Sequence, residues 1–407
     1  MKSAKKKLLE ERAAAALQVR TPAAEQLLIE EIPVLSGARI LCTSLGRGQF
    51  AQMAASYFRE AQVVCHFFDK YLADQATQHC GAGQGGAGGG TSLLKKGTVP
   101  FQQEDSALLF DNADRDCPLF QQAAGPRIVC AADFPQGPFD AVVIPVDPRG
   151  DSELTRDLLQ SGHERLAAGG RLVSATSACD DQWLHAEMRK LFDKVTRRPM
   201  DEGVVYLATK SAELKKQKNF ECEFAFRDSG RLIKAVSRPG VFSHRSLDGG
   251  ARALMNTMAV RDGDRILDIG CGSGTVALAA AFRGPQVEVV AVDSHARAVE
   301  CTAKGAVLNG LDNVTTVLNA DGDAPDPGTY DLALGNPPYY SDYRIAEVFL
   351  QAAKRALKPS GKVLIVAKSY AWYETRMPEL FDDVKLHEHK QYTVVEGTQR
   401  SGRGVGL

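Results

Sequence analysis

A turn with three glycines follows an acidic residue at the end of a short apolar segment. Residues 265–275 read Arg-Ile-Leu-Asp-Ile-Gly-Cys-Gly-Ser-Gly-Thr. Gly270, Gly272 and Gly274 let the main chain turn tightly and let a ligand approach its N–H groups. Dinucleotide-binding turns normally have the spacing Gly-x-Gly-x-x-Gly and no acid before it, whereas Asp268 stands here. The pattern favours a ligand whose amino-acid part contacts both Asp268 and the turn.

Two further acids follow apolar segments that we predict to be strands. Asp293 follows residues 287–292, and Asp321 follows the next such segment. A carboxylate in this place can bind both hydroxyls of a ribose, and we assign that role to Asp293. Asp321 would then contact the amine of an adenine. Each acid alone could cap a helix or lie on the surface. Together with Asp268, they predict S-adenosylmethionine (SAM), a methyl donor, as the ligand.

Another predicted strand, residues 330–335, leads into Asn336-Pro-Pro-Tyr339, which indicates the methyl acceptor. An exocyclic amine is a poor nucleophile because its lone pair is delocalised into the neighbouring π-system. The Asn336 side-chain oxygen and the Pro337 carbonyl can accept its two hydrogens and localise that lone pair. Pro337 and Pro338 fix φ and so aim the carbonyl, while Tyr339 offers a flat face for stacking. The alternative is an ordinary type I turn with a buried tyrosine.

Alternating strands and amphipathic helices after residue 260 predict an α/β fold with a doubly wound, mostly parallel sheet. The carboxyl ends of parallel strands meet at one edge of such a sheet, so we expect the three acids and Asn336 to lie together there. Asp248 precedes a helix that we predict over residues 252–258. Its carboxylate can cap that helix or contact the ligand.

The first half of the chain repeats this plan. Residues 38–50 follow the pattern of residues 265–275, with Gly46 and Gly48 falling on the last two of the three glycines. Residues 139–172 match residues 330–363 with the same internal spacing. Repetition over that length predicts two copies of one fold.

The first copy lacks the residues to which we assign chemistry. Cys42 stands where the second copy has Asp268, Ser44 stands where it has Gly270, and Pro145-Val-Asp147 replaces the Asn-Pro-Pro motif. We therefore interpret the first copy as a degenerate domain with a structural and substrate-recognition role.

We predict two tandem Rossmann-like domains, a degenerate one over residues 1–235 and a catalytic one over residues 236–407. The first would begin with helices over residues 8–17 and 23–32 and contain a flexible glycine-rich loop at 81–90. The last residues, 401–407, are expected to be disordered.

The bulk composition excludes several classes of protein. A hydrophobic content of 44% and a formal charge of −1 are those of an ordinary globular protein rather than a uniformly basic one. No apolar stretch of about 20 residues occurs, and the basic start lacks the apolar core of a secretion signal. The nine cysteines are scattered without a CxxC pair, so we expect free thiols, no metal site and a cytoplasmic location.

The C-terminal half resembles class I SAM-dependent methyltransferases. The tandem arrangement is similar to bacterial ribosomal RNA guanine-N2 methyltransferases of the RsmC/RlmG type, essentially over the whole chain but weakly before residue 230. The matching residues are Pro239-Gly-Val-Phe-Ser243, Leu247-Asp-x-Gly250, Asp268-x-Gly-x-Gly-x-Gly274, Asp293 and Asn336-Pro-Pro338. The resemblance implies that Phe242 and Asp248 help to bind the cofactor.

The resemblance also implies SAM as the donor, guanine N2 of ribosomal RNA as the acceptor, with the 16S RNA of the small subunit favoured, and a monomeric protein. The RNA or the ribosomal subunit would be the partner, with no membrane involved. Three basic clusters could contact RNA, at residues 5–7, 189–198 and 215–218.

The acceptor atom stays open at this point. The family usually has Asn-Pro-Pro-Phe-His, while this chain has Asn-Pro-Pro-Tyr-Tyr at residues 336–340. Tyrosine in that place is also common in adenine-N6 methyltransferases and in glutamine-N5 methyltransferases of release factors. A non-catalytic RNA-binding assembly factor with a vestigial SAM site is the third alternative.

Overall fold

A computed structural model describes residues 20–81, 125–339 and 341–401. Several predicted features lie outside these ranges: the helix over 8–17, the basic cluster at 5–7, nearly all of the glycine-rich loop, residue 340 and the tail after residue 401. Among the described residues, no helix has the length and apolarity needed to cross a membrane.

The first domain is built on a seven-stranded sheet. Its strands are β1 (Arg39–Thr43), β2 (Gln62–Phe67), β3 (Arg127–Cys130), β4 (Phe139–Val146), β5 (Leu166–Thr176), β6 (Val195–Met200) and β7 (Gly203–Thr209). They lie in the order β3-β2-β1-β4-β5-β7-β6, and all neighbours are parallel except those of β7. Its helices are α1 (Ala23–Glu30), α2 (Gln49–Tyr57), α3 (Lys70–Gly81), α4 (Ser152–Arg165) and α5 (Trp183–Arg189).

Helix α1 ends at Glu30, two residues before the predicted end, and a 3₁₀ turn follows at Ile32–Val34. The reason is Pro33, because a proline disfavours the α conformation in the residue before it.

A hairpin of β8 (Cys222–Asp228) and β9 (Arg231–Ser237) precedes the second domain. The second sheet contains β10 (Arg265–Ile269), β11 (Glu288–Asp293), β12 (Val314–Leu318), β13 (Tyr330–Gly335), β14 (Leu357–Ala367), β15 (Asp382–His389) and β16 (Tyr392–Thr398). Its helices are α6 (Gly249–Thr257), α7 (Thr275–Ala281), α8 (Ala296–Leu308), α9 (Arg344–Ala356) and α10 (Ala371–Leu380). The strand order, β12-β11-β10-β13-β14-β16-β15, reproduces that of the first sheet position by position.

The two domains share more than their strand order, which confirms the predicted duplication. Gly48 and Gly274 both adopt left-handed φ angles, 77° and 76°, and both begin a helix. The carboxylate of Asp140 accepts a hydrogen bond from the N–H of Arg39, at the start of β1. Asp331 accepts the equivalent bond from Arg265, at the start of β10.

The hairpin packs on the second domain. Phe226, Ile233 and Ala235 are buried in the same apolar cluster as helices α6 and α7. The expected domain boundary after residue 235 runs through β9, and we therefore describe the hairpin together with the second domain.

The two domains meet through equivalent parts of their sheets. The loop after β2 in the first domain lies against the loop after β11 in the second. Lys70 donates its N–H to the carbonyl of Ser294 at 2.7 Å, and Ala296 donates to the carbonyl of Phe68 at 2.7 Å. The hydroxyl of Ser294 also donates to the carboxylate of Asp69 at 2.7 Å. These bonds hold the residues after Asp293 against the first domain.

Arg297 is the most deeply buried charge at this interface, with 1% of its surface exposed. Its Nη1 lies 2.7 Å from the carboxylate of Asp157 in the first domain and donates to the carbonyl of Pro239 at 3.0 Å. Its Nε donates to the carbonyl of Ala132 at 2.9 Å, and its guanidinium lies 4.1 Å from the ring centre of Phe68. Burial lowers the pKa of Arg297, and the charge on Asp157 opposes that shift.

Arg297→Ala is expected to lower the free energy of unfolding by about 3–5 kcal/mol, because Asp157 would remain as a buried charge without its partner. Urea unfolding followed by circular dichroism measures the change. Arg400→Ala is the control, since it breaks an exposed pair with Asp382 and should lose less than about 1 kcal/mol.

The double substitution of Arg297→Met with Asp157→Leu should recover most of that loss, because it removes both charges and keeps apolar volume. A loss for Arg297→Ala no larger than that of the control would contradict this account of the interface.

Candidate functional site

The glycine turn after β10 depends on glycine at each of its three positions. Gly270, Gly272 and Gly274 have φ angles of 71°, 56° and 76°, which L-residues rarely adopt. A Cβ on Gly270 would lie 2.5 Å from the ring of Phe349, and one on Gly274 would lie 2.7 Å from Thr302. At Gly272 the nearest atom would be 3.8 Å away. Gly272 is thus the glycine of the three at which a Cβ would not clash with the surrounding residues.

Asp293 at the end of β11 contacts this turn directly. Its Oδ2 accepts a hydrogen bond from the N–H of Gly272 at 2.9 Å, and its Oδ1 accepts one from the N–H of His295 at 2.8 Å. Burial raises the pKa of Asp293 to about 6, although both hydrogen bonds favour the ionised form.

Asp268 lies under the same turn and is 3% exposed. Its Oδ2 accepts a hydrogen bond from the N–H of Ala277, in the first turn of α7, at 3.1 Å. Burial raises the pKa of Asp268 to about 7, and the nearby charge of Asp293 adds to the shift. Neighbouring carboxyl groups whose pKa values are both raised favour a ligand that brings a positive charge or hydroxyl donors.

Asn336 follows β13 at the same edge of the sheet, as predicted. Its Nδ2 donates to the Oδ2 of Asp248 at 2.8 Å, and its Oδ1 accepts from the hydroxyl of Tyr339 at 3.1 Å. The carboxylate of Asp248 also caps α6, because it accepts from the N–H groups of Gly250 and Ala251. Asp248 thereby fixes which side of the Asn336 amide is the donor, and leaves Oδ1 to accept hydrogen bonds.

Asp248 was expected to cap its helix or contact the cofactor. In the structure it caps the helix and orients Asn336, which lies 88 residues away in the sequence. The contact between Asp248 and Asn336 could not be predicted from the spacing of the motifs.

Two adjacent glycines bring the start of α6 against these side chains. A Cβ on Gly250 would lie 2.7 Å from the Oδ1 of Asn336. A Cβ on Gly249 would lie 2.8 Å from the ring of Tyr392. Tyr392, in β16, is a site residue that sequence reasoning missed, because it lies at the far end of the domain in the sequence.

Tyr339 is 41% exposed, which disagrees with the alternative of a turn around a buried tyrosine. The ammonium of Lys368 lies 4.9 Å from the centre of its ring, and the ring of Tyr392 is 6.3 Å away. Burial of its hydroxyl raises the pKa of Tyr339, so the hydroxyl stays protonated at neutral pH. No feature of the sequence indicated that Lys368 would lie beside Tyr339.

The remaining predicted residues lie around this edge. Pro337 is buried and Pro338 is half-buried. The exposed Asp321 lies in the loop after β12, and its main-chain carbonyl accepts a hydrogen bond from Arg355 at 3.1 Å. Phe242 is 57% exposed, and its main-chain carbonyl is the atom nearest to the open side of Gly272. Phe242 therefore stands beside the glycine turn.

In the first domain, the side chain of Glu25 lies against the corresponding turn. Glu25, from α1, accepts hydrogen bonds from the N–H of Leu45 at 3.2 Å and the N–H of Phe50 at 2.9 Å. It also accepts from the hydroxyl of Ser44 at 2.8 Å. Burial raises the pKa of Glu25 against these bonds. The first domain thus holds a carboxylate from α1 against N–H groups of this turn and of the helix that follows it.

Within the described part of the chain, no group of three or more His, Cys, Asp or Glu side chains could hold a metal ion. Cys271 in the glycine turn is buried, and burial raises the pKa of its thiol well above the usual value. Cys271 is therefore a neutral packing residue rather than a nucleophile.

Comparisons with known proteins fit this site. Residues 233–396 match the family model of the methyltransferase small domain. Ribosomal RNA small subunit methyltransferase C of Pseudoalteromonas atlantica is 33% identical over 167 residues, which cover 40% of this chain and 48% of that protein. Ribosomal RNA large subunit methyltransferase G of Ectopseudomonas mendocina is 26% identical over 265 residues, which cover 64% of this chain and 70% of that protein. The chain spans about half the length of the small-subunit relative it matches.

Among solved structures, the T. thermophilus 16S rRNA N2 methyltransferase (RsmC), in complex with AdoMet and guanosine, matches with a TM-score of 0.70. The match covers 94% of this chain and 93% of that chain at 20% identity. It shows that both domains and their arrangement follow a known tandem fold, which confirms the predicted fold class.

Asp268→Asn is expected to stabilise the ligand-free protein at pH 8. A carboxyl whose pKa is raised on folding favours the folded state at low pH, and this contribution is lost as the pH rises from about 4 to about 7. The neutral amide avoids that loss, which amounts to up to about 4 kcal/mol at 1.36 kcal/mol per pKa unit.

The gain should shrink toward zero as the pH falls to about 4 and below, where Asp268 takes up a proton in the unfolded chain as well as in the folded one. Urea unfolding of both proteins between pH 4 and pH 8 measures it. A gain that does not depend on pH would contradict the conclusion that burial raises the pKa of Asp268.

Proposed function

From the match of residues 233–396 to the methyltransferase small domain, we propose that this protein transfers a methyl group from SAM to the exocyclic N2 amine of a guanine in ribosomal RNA. One observation carries the proposal. The Asn336 amide, oriented by Asp248 beside the exposed ring of Tyr339, lies at the same sheet edge as the glycine turn with Asp268 and Asp293. A place for a methyl donor and a place for a planar amine are therefore adjacent.

The residues at the glycine turn fit SAM, which supplies an electrophilic methyl group on a positively charged sulfur. Asp268 would bind the ammonium of its amino-acid part, and the ionised form of Asp268 would be favoured by that charge. Asp293 would accept hydrogen bonds from the ribose hydroxyls. Phe242, exposed beside Gly272, would cover the open side of the turn. Asp321, in the loop after β12, would contact the adenine.

The residues at Asn336 fit an exocyclic amine. Its Oδ1 accepts a hydrogen bond from Tyr339 in the structure, and we infer that the amine of the acceptor takes over this bond. The carbonyl of Pro337 would accept the second hydrogen, so that the nitrogen lone pair is free to attack. The nitrogen forms a bond to the methyl carbon as the carbon–sulfur bond breaks, and a proton then leaves the nitrogen for water. Catalysis rests on positioning and hydrogen bonding, without a covalent enzyme intermediate.

The 16S RNA of the small subunit is the substrate we favour. Relatives named for the small subunit reach 36% identity, over 145 residues, compared with 26% over 265 residues for the relative named for the large subunit. A guanine in a duplex has to be unstacked before it reaches Tyr339. We assign RNA recognition in part to the first domain, where Lys194 and Arg197 are exposed on and beside the edge strand β6.

Asn336→Ala is expected to reduce kcat for RNA methylation by about 10²–10³-fold, because it removes the acceptor of the amine hydrogen. SAM affinity should change little. Nucleoside mass spectrometry on 16S and 23S RNA, offered both stripped and assembled in subunits, measures the product. Asn256→Ala, an exposed asparagine on α6, is the control and should keep wild-type activity.

New N2-methylguanosine that depends on Asn336 would support the proposal. N6-methyladenosine would move the acceptor to adenine. SAM binding without any methylated nucleoside would overturn the RNA assignment and direct the search to a glutamine amide in a release factor.

Isothermal titration of the whole protein with SAM is expected to give one site per chain, because Glu25 fills the turn of the first domain. Asp293→Ala should abolish detectable binding. Asp140→Asn, which alters the first domain at β1 away from that turn, should leave both the stoichiometry and the affinity unchanged. Two sites per chain would contradict the view that Glu25 closes the first one.

A further inference from the structure

A second aromatic surface lies beyond Tyr339 and takes no part in the proposed chemistry. The rings of Tyr343 and Trp372 stack with their centres 4.8 Å apart and their planes within 11°. Tyr343 is 38% exposed, and the neighbouring Tyr370 is 41% exposed. The buried Tyr373 supports both rings of the stack from the side, at 6.0 Å from Tyr343 and 4.9 Å from Trp372.

This surface continues from the acceptor site. Tyr343 follows Asn336 by seven residues, and Trp372 follows the end of β14, the strand that pairs with β13. Lys368 lies in the same segment as Trp372, and its ammonium lies over the ring of Tyr339. The aromatic stack and the acceptor motif are therefore carried by neighbouring strand ends.

The main chain holds Tyr343 in an unfavourable conformation. Asp342 and Tyr343 have φ angles of 47° and 61°, and tyrosine is not a residue that readily adopts a left-handed conformation. Tyr343 is the N-cap of α9 but makes no side-chain capping bond, which serine or aspartate would make. Backbone strain of this kind clusters at functional sites. We infer that a tyrosine stands at position 343 to place an aromatic face and not to cap the helix.

The charges around the stack nearly balance. Two basic residues, Lys368 and Arg344, are exposed, and so are two acidic residues, Asp342 and Glu374. A surface of this kind does not attract phosphates strongly. Exposed aromatic faces bind unpaired bases by stacking, with little dependence on their identity.

We propose that Tyr343 and Trp372 form a stacking subsite for the nucleotide next to the target guanine in an unpaired RNA strand. The inference rests on the proposed function. The base to be methylated occupies the face of Tyr339, and the adjoining base lies on the Tyr343–Trp372 stack. The subsite positions the strand and takes no part in the transfer of the methyl group.

The fluorescence of Trp372 can report whether RNA binds at this surface. The chain contains two tryptophans, and the other, Trp183, lies in α5 of the first domain. Trp183→Phe leaves Trp372 as the sole tryptophan. Titration of this variant with a single-stranded guanine-containing oligoribonucleotide is expected to quench its fluorescence in a saturable manner, while the same concentration of inorganic phosphate should not.

Steady-state kinetics separates this role from a structural one. Trp372→Ala and Tyr343→Ala are each expected to raise KM for RNA about tenfold or more, with kcat within about twofold and SAM affinity unchanged. Trp372→Phe keeps an aromatic face and should restore a KM near that of the wild type. The dependence of KM on salt should stay the same, because no phosphate contact is lost. Tyr71→Ala, an exposed tyrosine on α3, is the matched control.

Three results would overturn the subsite: no quenching by the oligoribonucleotide, an unchanged KM for Trp372→Ala, or a fall in kcat that Trp372→Phe does not rescue. Quenching by a release-factor protein but by no RNA would assign the surface to a protein partner instead and would also overturn it. If the wild type methylates no RNA, the proposed function fails, and the fluorescence titration still decides by itself whether RNA stacks here.

Discussion

A single buried arginine sets the arrangement on which the rest of the structure depends. Arg297 has its charge paired with Asp157 of the first domain and its remaining donors on main-chain carbonyls of both domains. A charge so deeply buried stabilises a fold only when its partners are in place, so the two domains are held in one relative position. Because Arg297 lies in the first turn of α8, which follows Asp293, the same contact holds the loop after the acid that we propose to bind the ribose.

The duplication accounts for the form of the interface. Two copies of one sheet face each other through equivalent loops, after β2 and after β11. In the second copy the glycine turn is lined by Asp268 and Asp293, and burial raises the pKa of both carboxyl groups. In the first copy the carboxylate of Glu25, from α1, accepts hydrogen bonds from N–H groups of the turn and of the helix that follows it.

The acceptor side is built from contacts that lie far apart in the sequence. The Asp248 carboxylate caps α6 and also accepts a hydrogen bond from the Asn336 amide. The capping of α6 and the orientation of Asn336 therefore depend on the same side chain. Gly249 and Gly250 are required because the side chains of Tyr392 and Asn336 occupy the space that a Cβ would fill. The proposed acceptor pocket is thus coupled to the packing of the helix beside it.

The two copies, the strand–turn–helix of the glycine motif and the meeting of Asp268, Asp293 and Asn336 at one edge could be predicted from the sequence, which left Asp248 with either a capping role or a ligand contact. These features follow from local chain geometry and from the rule that parallel strands end together. Only the tertiary structure decided the rest: that the Asp248 carboxylate holds Asn336, that Glu25 closes the first site, that Arg297 joins the domains, and that Tyr392 and Lys368 flank Tyr339. Each is a contact between side chains distant in the chain, and spacing along a sequence carries no record of which distant residues pack together.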